Sequence, residues 1–294
     1  KNVFLQLGPF YAIILLYGNR WGTYVYHFMY SYTDWTCCRL SLYNRVSFLF
    51  CRLNPMTNFF LNAVFILLIC GLVFESLFIY YDYKRRLIQA GWFKSLAAFC
   101  FVLIGVSLIS DNLLYNHFHY WKFLICLGLF FGMLGDIFRA VCKVSTGNKS
   151  KLFNLAGIVA FVTGHLLYIT TWLTIENHIL IPYLIILPVI AAPTILFILK
   201  KGKRTSKGEK ILGTVYLLIV ISMFSVSFSE MIVTKSYMAK QFSLGAFFFM
   251  TSDIITIGNS IAHRPHKRLR ALNLLNYYAG QIIIAFCLCF DKIL

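Results

Sequence analysis

Leu127-Gly128-Leu129-Phe130-Phe131-Gly132-Met133-Leu134-Gly135-Asp136-Ile137 is an apolar stretch that closes on a carboxylate. It recurs downstream as Leu244-Gly245-Ala246-Phe247-Phe248-Phe249-Met250-Thr251-Ser252-Asp253-Ile254, with seven of eleven positions identical and no gap. Each copy lies in a longer apolar run of the kind that crosses a bilayer, for which about 20 residues are needed. An Asp in such a run costs ~2.5 to 3.5 kcal/mol at mid-membrane and less near an interface, so it faces protein or water rather than lipid. Gly128, Gly132 and Asp136 recur every four residues, which puts the carboxylate on the same helix face as two glycines that permit close packing. Asp136 is therefore expected to point into a helical bundle.

Six further runs of similar character accompany these two. The eight centres lie near Phe65, Cys100, Phe130, Phe161, Ile186, Val220, Phe248 and Ile284, and they predict an all-α, polytopic membrane bundle of about eight transmembrane helices. The third and seventh spans run in the same direction. Their likeness suggests two parallel four-helix halves related by an axis along the membrane normal, with Asp136 and Asp253 at equivalent depth. Composition agrees: the 294 residues are 60% hydrophobic and 13% charged, and a mean hydropathy of +0.74 is too apolar for a water-soluble fold.

The net charge of +17 is carried by clusters between spans. Lys84, Arg85, Arg86 and Lys94 fall after the first; Arg139, Lys143, Lys149 and Lys151 after the third; Lys200, Lys201, Lys203, Arg204, Lys207 and Lys210 after the fifth; Arg264, Lys267, Arg268 and Arg270 after the seventh. Every second loop is basic, so these loops are expected in the cytosol and the C-terminus on the other side. The pattern fits an anionic membrane surface and no nucleic acid. The segment 1–55 stays unassigned, partly membrane-associated at most. Its apolar stretch 3–17 is short for a span, no cleavable signal is evident, and Arg20, Arg39, Arg45 and Arg52 would fall on the side the charge rule disfavours. A transmembrane domain is expected over 56–290. Nine Cys are scattered without ligand spacing and read as small buried hydrophobes, with no metal site or disulfide framework.

Two intramembrane carboxylates at matching depth suggest function more strongly than one Asp, which could equally bond a neighbouring helix. In the fourth span Phe153, Gly157, Phe161, His165 and Tyr168 share one broad face; a lone His there reads first as a hydrogen-bonded packing residue. In the eighth, Asn273, Asn276, Tyr277, Gly280 and Gln281 share a face too polar for lipid, which lines an interior cavity or glues helices together.

These residues form an ordered set: Gly135-Asp136; Phe153-x3-Gly157-x3-Phe161-x3-His165-x2-Tyr168; Tyr216 with Met223; Gly245-Ala246-x-Phe248-x3-Ser252-Asp253; and Tyr277-Tyr278-x2-Gln281. The set, over about 56–289, resembles the YhhN family, the lysoplasmalogenases. It departs at Lys94-Ser95, where family members often show Lys-Pro, and the first fifty-odd residues have no counterpart. The resemblance implies hydrolysis of the vinyl ether bond of a lysoplasmalogen to a fatty aldehyde and a glycerophospho-base carrying ethanolamine or choline. It implies Asp136 and Asp253 as the catalytic pair. It also implies substrate contacts from His165, Tyr168, Tyr277, Tyr278 and Gln281. Lys94, at the cytosolic start of its span, is the candidate for the phosphate, and an ordinary positive-inside anchor is an equally open reading of it.

Vinyl ether hydrolysis needs an acid, a carboxylate to stabilise an oxocarbenium ion, and water, so neither metal nor redox cofactor is expected. Paired carboxylates in a poorly solvated site tend to share one proton, as in glycosidic hydrolysis. Which Asp is the acid is open at this stage. The expected partners are a lysophospholipid and membrane lipid, a homo-oligomer is compatible with the pattern, and the expected location in a eukaryote is the endoplasmic reticulum membrane. The alternative is a transporter or lipid-binding protein without hydrolase activity, because paired carboxylates in parallel repeats also serve proton-coupled carriers. A scaffold whose polar residues only pack helices is the third reading.

Overall fold

A computed structural model describes residues 58–114, 120–175, 180–201, 207–261 and 267–290, all within one compact unit, Leu53–Leu294. The readings made for 1–55, and for most basic residues of the loops at 202–206 and 262–266, lie outside the described residues. The described residues form eight α-helices: α1 (Asn58–Tyr83), α2 (Leu87–Leu114), α3 (Tyr120–Val144), α4 (Gly147–Ile175), α5 (Leu180–Lys201), α6 (Lys207–Thr234), α7 (Tyr237–Ile261) and α8 (Lys267–Phe286). A 3-10 turn, Cys287–Cys289, follows. Each apolar centre expected from the sequence falls inside one helix.

Six of the eight, α1, α2, α3, α4, α6 and α8, are long and apolar enough to cross a membrane, which makes the chain a polytopic helical membrane protein. The remaining two depart for different reasons. In α5 the apolar stretch among the described residues is Pro182–Phe197, and Pro188 and Pro193 lie inside it, each removing a backbone donor. The polar residues of α7, among them Lys240, Gln241, Ser252 and Asp253, dilute its apolar character.

Consecutive helices turn back sharply. Arg85, Gly147 and Lys235 adopt positive φ at the turns leading into α2, α4 and α7, and glycine takes that conformation without steric cost. Apolar side chains such as Ile66, Ile69 and Val73 of α1 are exposed, as a lipid-facing surface requires. The interior holds Ile125, Leu129, Leu217, Val220, Phe242 and Ala246.

Neighbour relations repeat along the chain. α3 packs against α2 and α4, and α7 against α6 and α8; across the middle, α4 meets α6 and α8 meets α2. The glycine at the second position of each repeated stretch makes the closest approach. A Cβ on Gly164 of α4 would lie 3.0 Å from the Gly128 carbonyl oxygen, and one on Gly280 of α8 would lie 2.9 Å from that of Gly245. Only hydrogen fits between these backbones, so dispersion contacts along both pairs are close. The glycines of α3 serve two neighbours: the rings of Tyr168 and Phe161 cover Gly128 and Gly135, and the Gln281 amide covers Gly132.

Candidate functional site

A cavity of about 510 Å³ lies among α1, α2, α3, α4, α6, α7 and α8. Asp136, Asp253, Lys94 and Tyr277, four of the residues expected from the sequence, line it. His165, Tyr168, Tyr278 and Gln281 are not among its lining residues.

Asp136 is 1% exposed, and its carboxylate is held from two helices. The Lys94 ammonium of α2 lies 2.6 Å from Oδ1, and the Tyr277 hydroxyl of α8 donates to Oδ2 at 2.8 Å. Lys94, expected at the phosphate, is itself buried, 9% exposed, so its charge is spent on a carboxylate inside the protein. Burying two charges costs several kcal/mol per ion, and close pairing with added hydrogen bonds offsets it. The Gln281 amide donates to the Tyr277 hydroxyl at 3.4 Å, which orients the phenol toward Asp136. Tyr278 lies one residue further round α8 and donates to the Lys94 backbone carbonyl at 3.5 Å. Gln281 and Tyr278 thus support the pair from behind.

Asp253 is held differently. The Tyr216 hydroxyl of α6 donates to its Oδ2 at 2.8 Å, and Asp253 makes no ion pair among the described residues. The two halves therefore place matching contacts: α2 supplies Lys94 to the Asp of α3, and α6 supplies Tyr216 to the Asp of α7. One carboxylate has a cation and a phenol, the other a phenol. Asn273 of α8 donates to the Ser252 carbonyl at 2.8 Å and also to the Thr256 hydroxyl, tying α8 to α7 next to Asp253.

His165 is 2% exposed and packs edge-on against Phe249, Tyr216 and Tyr168, with ring centroids 4.7, 5.9 and 6.4 Å away. Its Nδ1 bonds the Phe161 carbonyl one turn earlier. This is the hydrogen-bonded packing role read first from the sequence. Its Nε2, the Tyr168 hydroxyl and Gln281 Oε1 are buried without a hydrogen-bond partner among the described residues.

Sequence reasoning treated Arg139, Lys143 and Arg270 as loop charges only, yet all three line the basic end of the cavity. The signal was present in the helical period. Arg139 and Lys143 stand three and seven residues after Asp136, and Arg270 stands three before Asn273 and seven before Tyr277; all are spacings that keep one face. Asp82, at the end of α1, was passed over. Its carboxylate lies 2.6 Å from Arg270 Nη2 and 3.5 Å from Lys143 Nζ.

The chain gives no match among curated proteins or among solved structures. Residues 89–288, about two thirds of the chain and all of the cavity lining except Phe78, match the model of the YhhN family; the chain belongs to the YhhN family.

Proposed function

We propose that the protein is a lysoplasmalogenase: it hydrolyses the vinyl ether bond of a lysoplasmalogen within the membrane, releasing a fatty aldehyde and a glycerophospho-base. The family includes lysoplasmalogenases. The observation that carries the reading is the unequal pair of carboxylates on one cavity, Asp136 with a cation and Asp253 without one. Unequal surroundings divide acid from base.

In this reading Asp253 carries the exchangeable proton, and Asp136, paired with Lys94, stabilises developing positive charge. Proton transfer from Asp253 to the β-carbon forms a C–H bond and leaves an oxocarbenium ion at the α-carbon. Water adds there, and its proton returns to Asp253. The resulting hemiacetal loses its hydroxyl proton, expels the glycerol oxygen, which is protonated in turn, and leaves the aldehyde. One water is consumed and no electron changes hands. Tyr277 and Tyr216 orient the two carboxylates, while Gln281 and Tyr278 support the Lys94–Asp136 pair from behind.

The two parallel halves belong to the same reading. The repeated stretch, the matched Gly128/Gly164 and Gly245/Gly280 contacts and the matched partners of the two Asp support a duplicated four-helix unit whose two carboxylates converge on one chamber. Eight crossings follow if α5 and α7 also span.

Purified protein given a lysoplasmalogen should release free aldehyde. The analogue with a saturated ether at the same position should compete without turning over, because it has no π-bond to accept a proton. Efficient cleavage of an ester-linked lysolipid that depends on Ser252 would replace this reading with a lysophospholipase. Movement of intact lipid across a vesicle membrane with no aldehyde would replace it with a carrier.

A further inference from the structure

The basic mouth of the cavity has a composition that the chemistry above does not use. Arg139, Lys143 and Arg270 line it, and the one carboxylate bonded among them is Asp82, whose side chain is 7% exposed. Basic groups are in excess of acidic ones there. Arg139 makes no ion pair or hydrogen bond among the described residues, although it is partly buried. Its stem runs against α4, where a Cβ on Gly157 would lie 2.9 Å from Arg139 Cγ. The glycine leaves room for a guanidinium on the cavity wall. Arg270 and Lys143 are fixed from below by Asp82 and remain 51% and 38% exposed at their side chains, so each keeps donors for a ligand.

Depth supplies the second argument. Lys143 stands seven residues beyond Asp136, and Arg270 stands seven residues before Tyr277, whose hydroxyl holds Asp136. Seven residues of helix rise about 10 Å. In a glycerophospholipid with an sn-1 vinyl ether, seven bonds separate the β-carbon from phosphorus, an extended reach of about 9 Å from covalent bond lengths. A substrate with its reacting carbon at the carboxylates therefore brings its phosphate to the level of Lys143 and Arg270, while Arg139, one turn beyond Asp136, lines the wall in between.

We propose that Arg139, Lys143 and Arg270, the last two held by Asp82 at the basic mouth of the cavity, form a binding site for the phosphodiester of a lysophospholipid head group. Arginine suits this role because its planar fork donates two parallel hydrogen bonds to phosphate oxygens. The site works as a ruler, fixing how deep the vinyl ether enters. This inference rests on the lipid-hydrolase reading for the identity of the lipid, and its test separates the two.

The full chain in detergent is titrated with a saturated 1-O-alkyl lysophosphoethanolamine and with the 1-O-alkylglycerol of the same tail, which lacks the phosphate. The phosphorylated ligand should bind roughly tenfold tighter or more, the scale of charge-assisted hydrogen bonds. Arg139→Gln and Arg270→Gln should each lose most of that preference while keeping the affinity for the alkylglycerol, which also shows that the variants are folded. Arg139→Lys should keep a weaker preference. Equal binding of both ligands by the unaltered chain, with aldehyde still released from lysoplasmalogen, overturns the head-group site and leaves the hydrolase standing. A retained preference with no aldehyde release upholds the site and removes the hydrolase. Tail-free glycerophosphoethanolamine should compete in excess of inorganic phosphate at equal ionic strength, and phosphate competing equally well would make this a free-phosphate site.

Discussion

Asp136 and Asp253 occupy the same place in two copies of one stretch, and their partners set them apart. Lys94 and Tyr277 hold Asp136, while Tyr216 holds Asp253. Asp253→Asn keeps the shape and the Tyr216 contact but removes the exchangeable proton. Aldehyde release should fall by roughly 10²- to 10⁴-fold, the usual share of a positioned acid or base, with thermal unfolding in detergent little changed; near-normal turnover would remove Asp253 from the mechanism. The Lys94–Asp136 pair allows a sharper test, because breaking one side strands a buried charge. Lys94→Met should destabilise the protein by about 3 to 5 kcal/mol. Lys94→Met combined with Asp136→Asn should recover much of that loss without recovering activity. A double variant no more stable than Lys94→Met alone would show that the charge of Asp136 is not what the lysine compensates.

At the scale of helices, the two closest approaches are made by glycines with no room for a side chain. A Cβ on Gly245 would lie 2.9 Å from the Gly280 carbonyl oxygen and 2.8 Å from Ile284 Cγ1. The backbones of α7 and α8 would have to part, which moves Asp253 relative to Tyr277. Gly245→Ala should cost roughly 1 to 3 kcal/mol through overpacking and lower turnover with it. Gly208, near the start of α6, has open space around it, so Gly208→Ala should be neutral or stabilising by up to about 1 kcal/mol through helix propensity. Melting temperatures of the two variants in the same detergent check this, and equal shifts would mean that the α7–α8 contact is not the tight one. Asp82 acts between elements as well: one carboxylate from α1 ties the last turn of α3 to the first turn of α8, at the level where the cavity opens.

For the molecule as a whole, alternation of basic and weakly charged loops predicts an orientation. Cysteine labelling from either side of a sealed membrane should find a probe at Lys203 on the cytosolic side and a probe at Leu294 on the opposite side. Finding both on one side would mean that an odd number of the helices α6, α7 and α8 fails to cross, with α7, the one of the three not among the six long apolar spans, the first suspect. That orientation would put Arg139, Lys143, Arg270 and Asp82 toward the cytosolic surface, with Asp136 and Asp253 further from it.

The sequence by itself determined the eight helices, since their apolar lengths are local properties read from composition along the chain. It also singled out Asp136 and Asp253, the two carboxylates that line one cavity, because a short repeat and the insertion cost of Asp are local as well. Helical period placed Tyr277 and Gln281 on one polar face, and that face does reach Asp136. Only the tertiary structure decided who meets whom. Lys94 and Asp136 are 42 residues apart, Tyr277 and Asp136 141 residues, and Arg270 and Asp82 188 residues. Such partners are fixed by how helices rotate and pack, through glycines whose carbonyls accept no Cβ. A lysine at a span entrance reads from sequence as an anchor or a phosphate ligand. It is the approach of α2 to α3 that turns Lys94 inward onto a carboxylate, because an ammonium drawn out of water is stable there only beside an opposite charge.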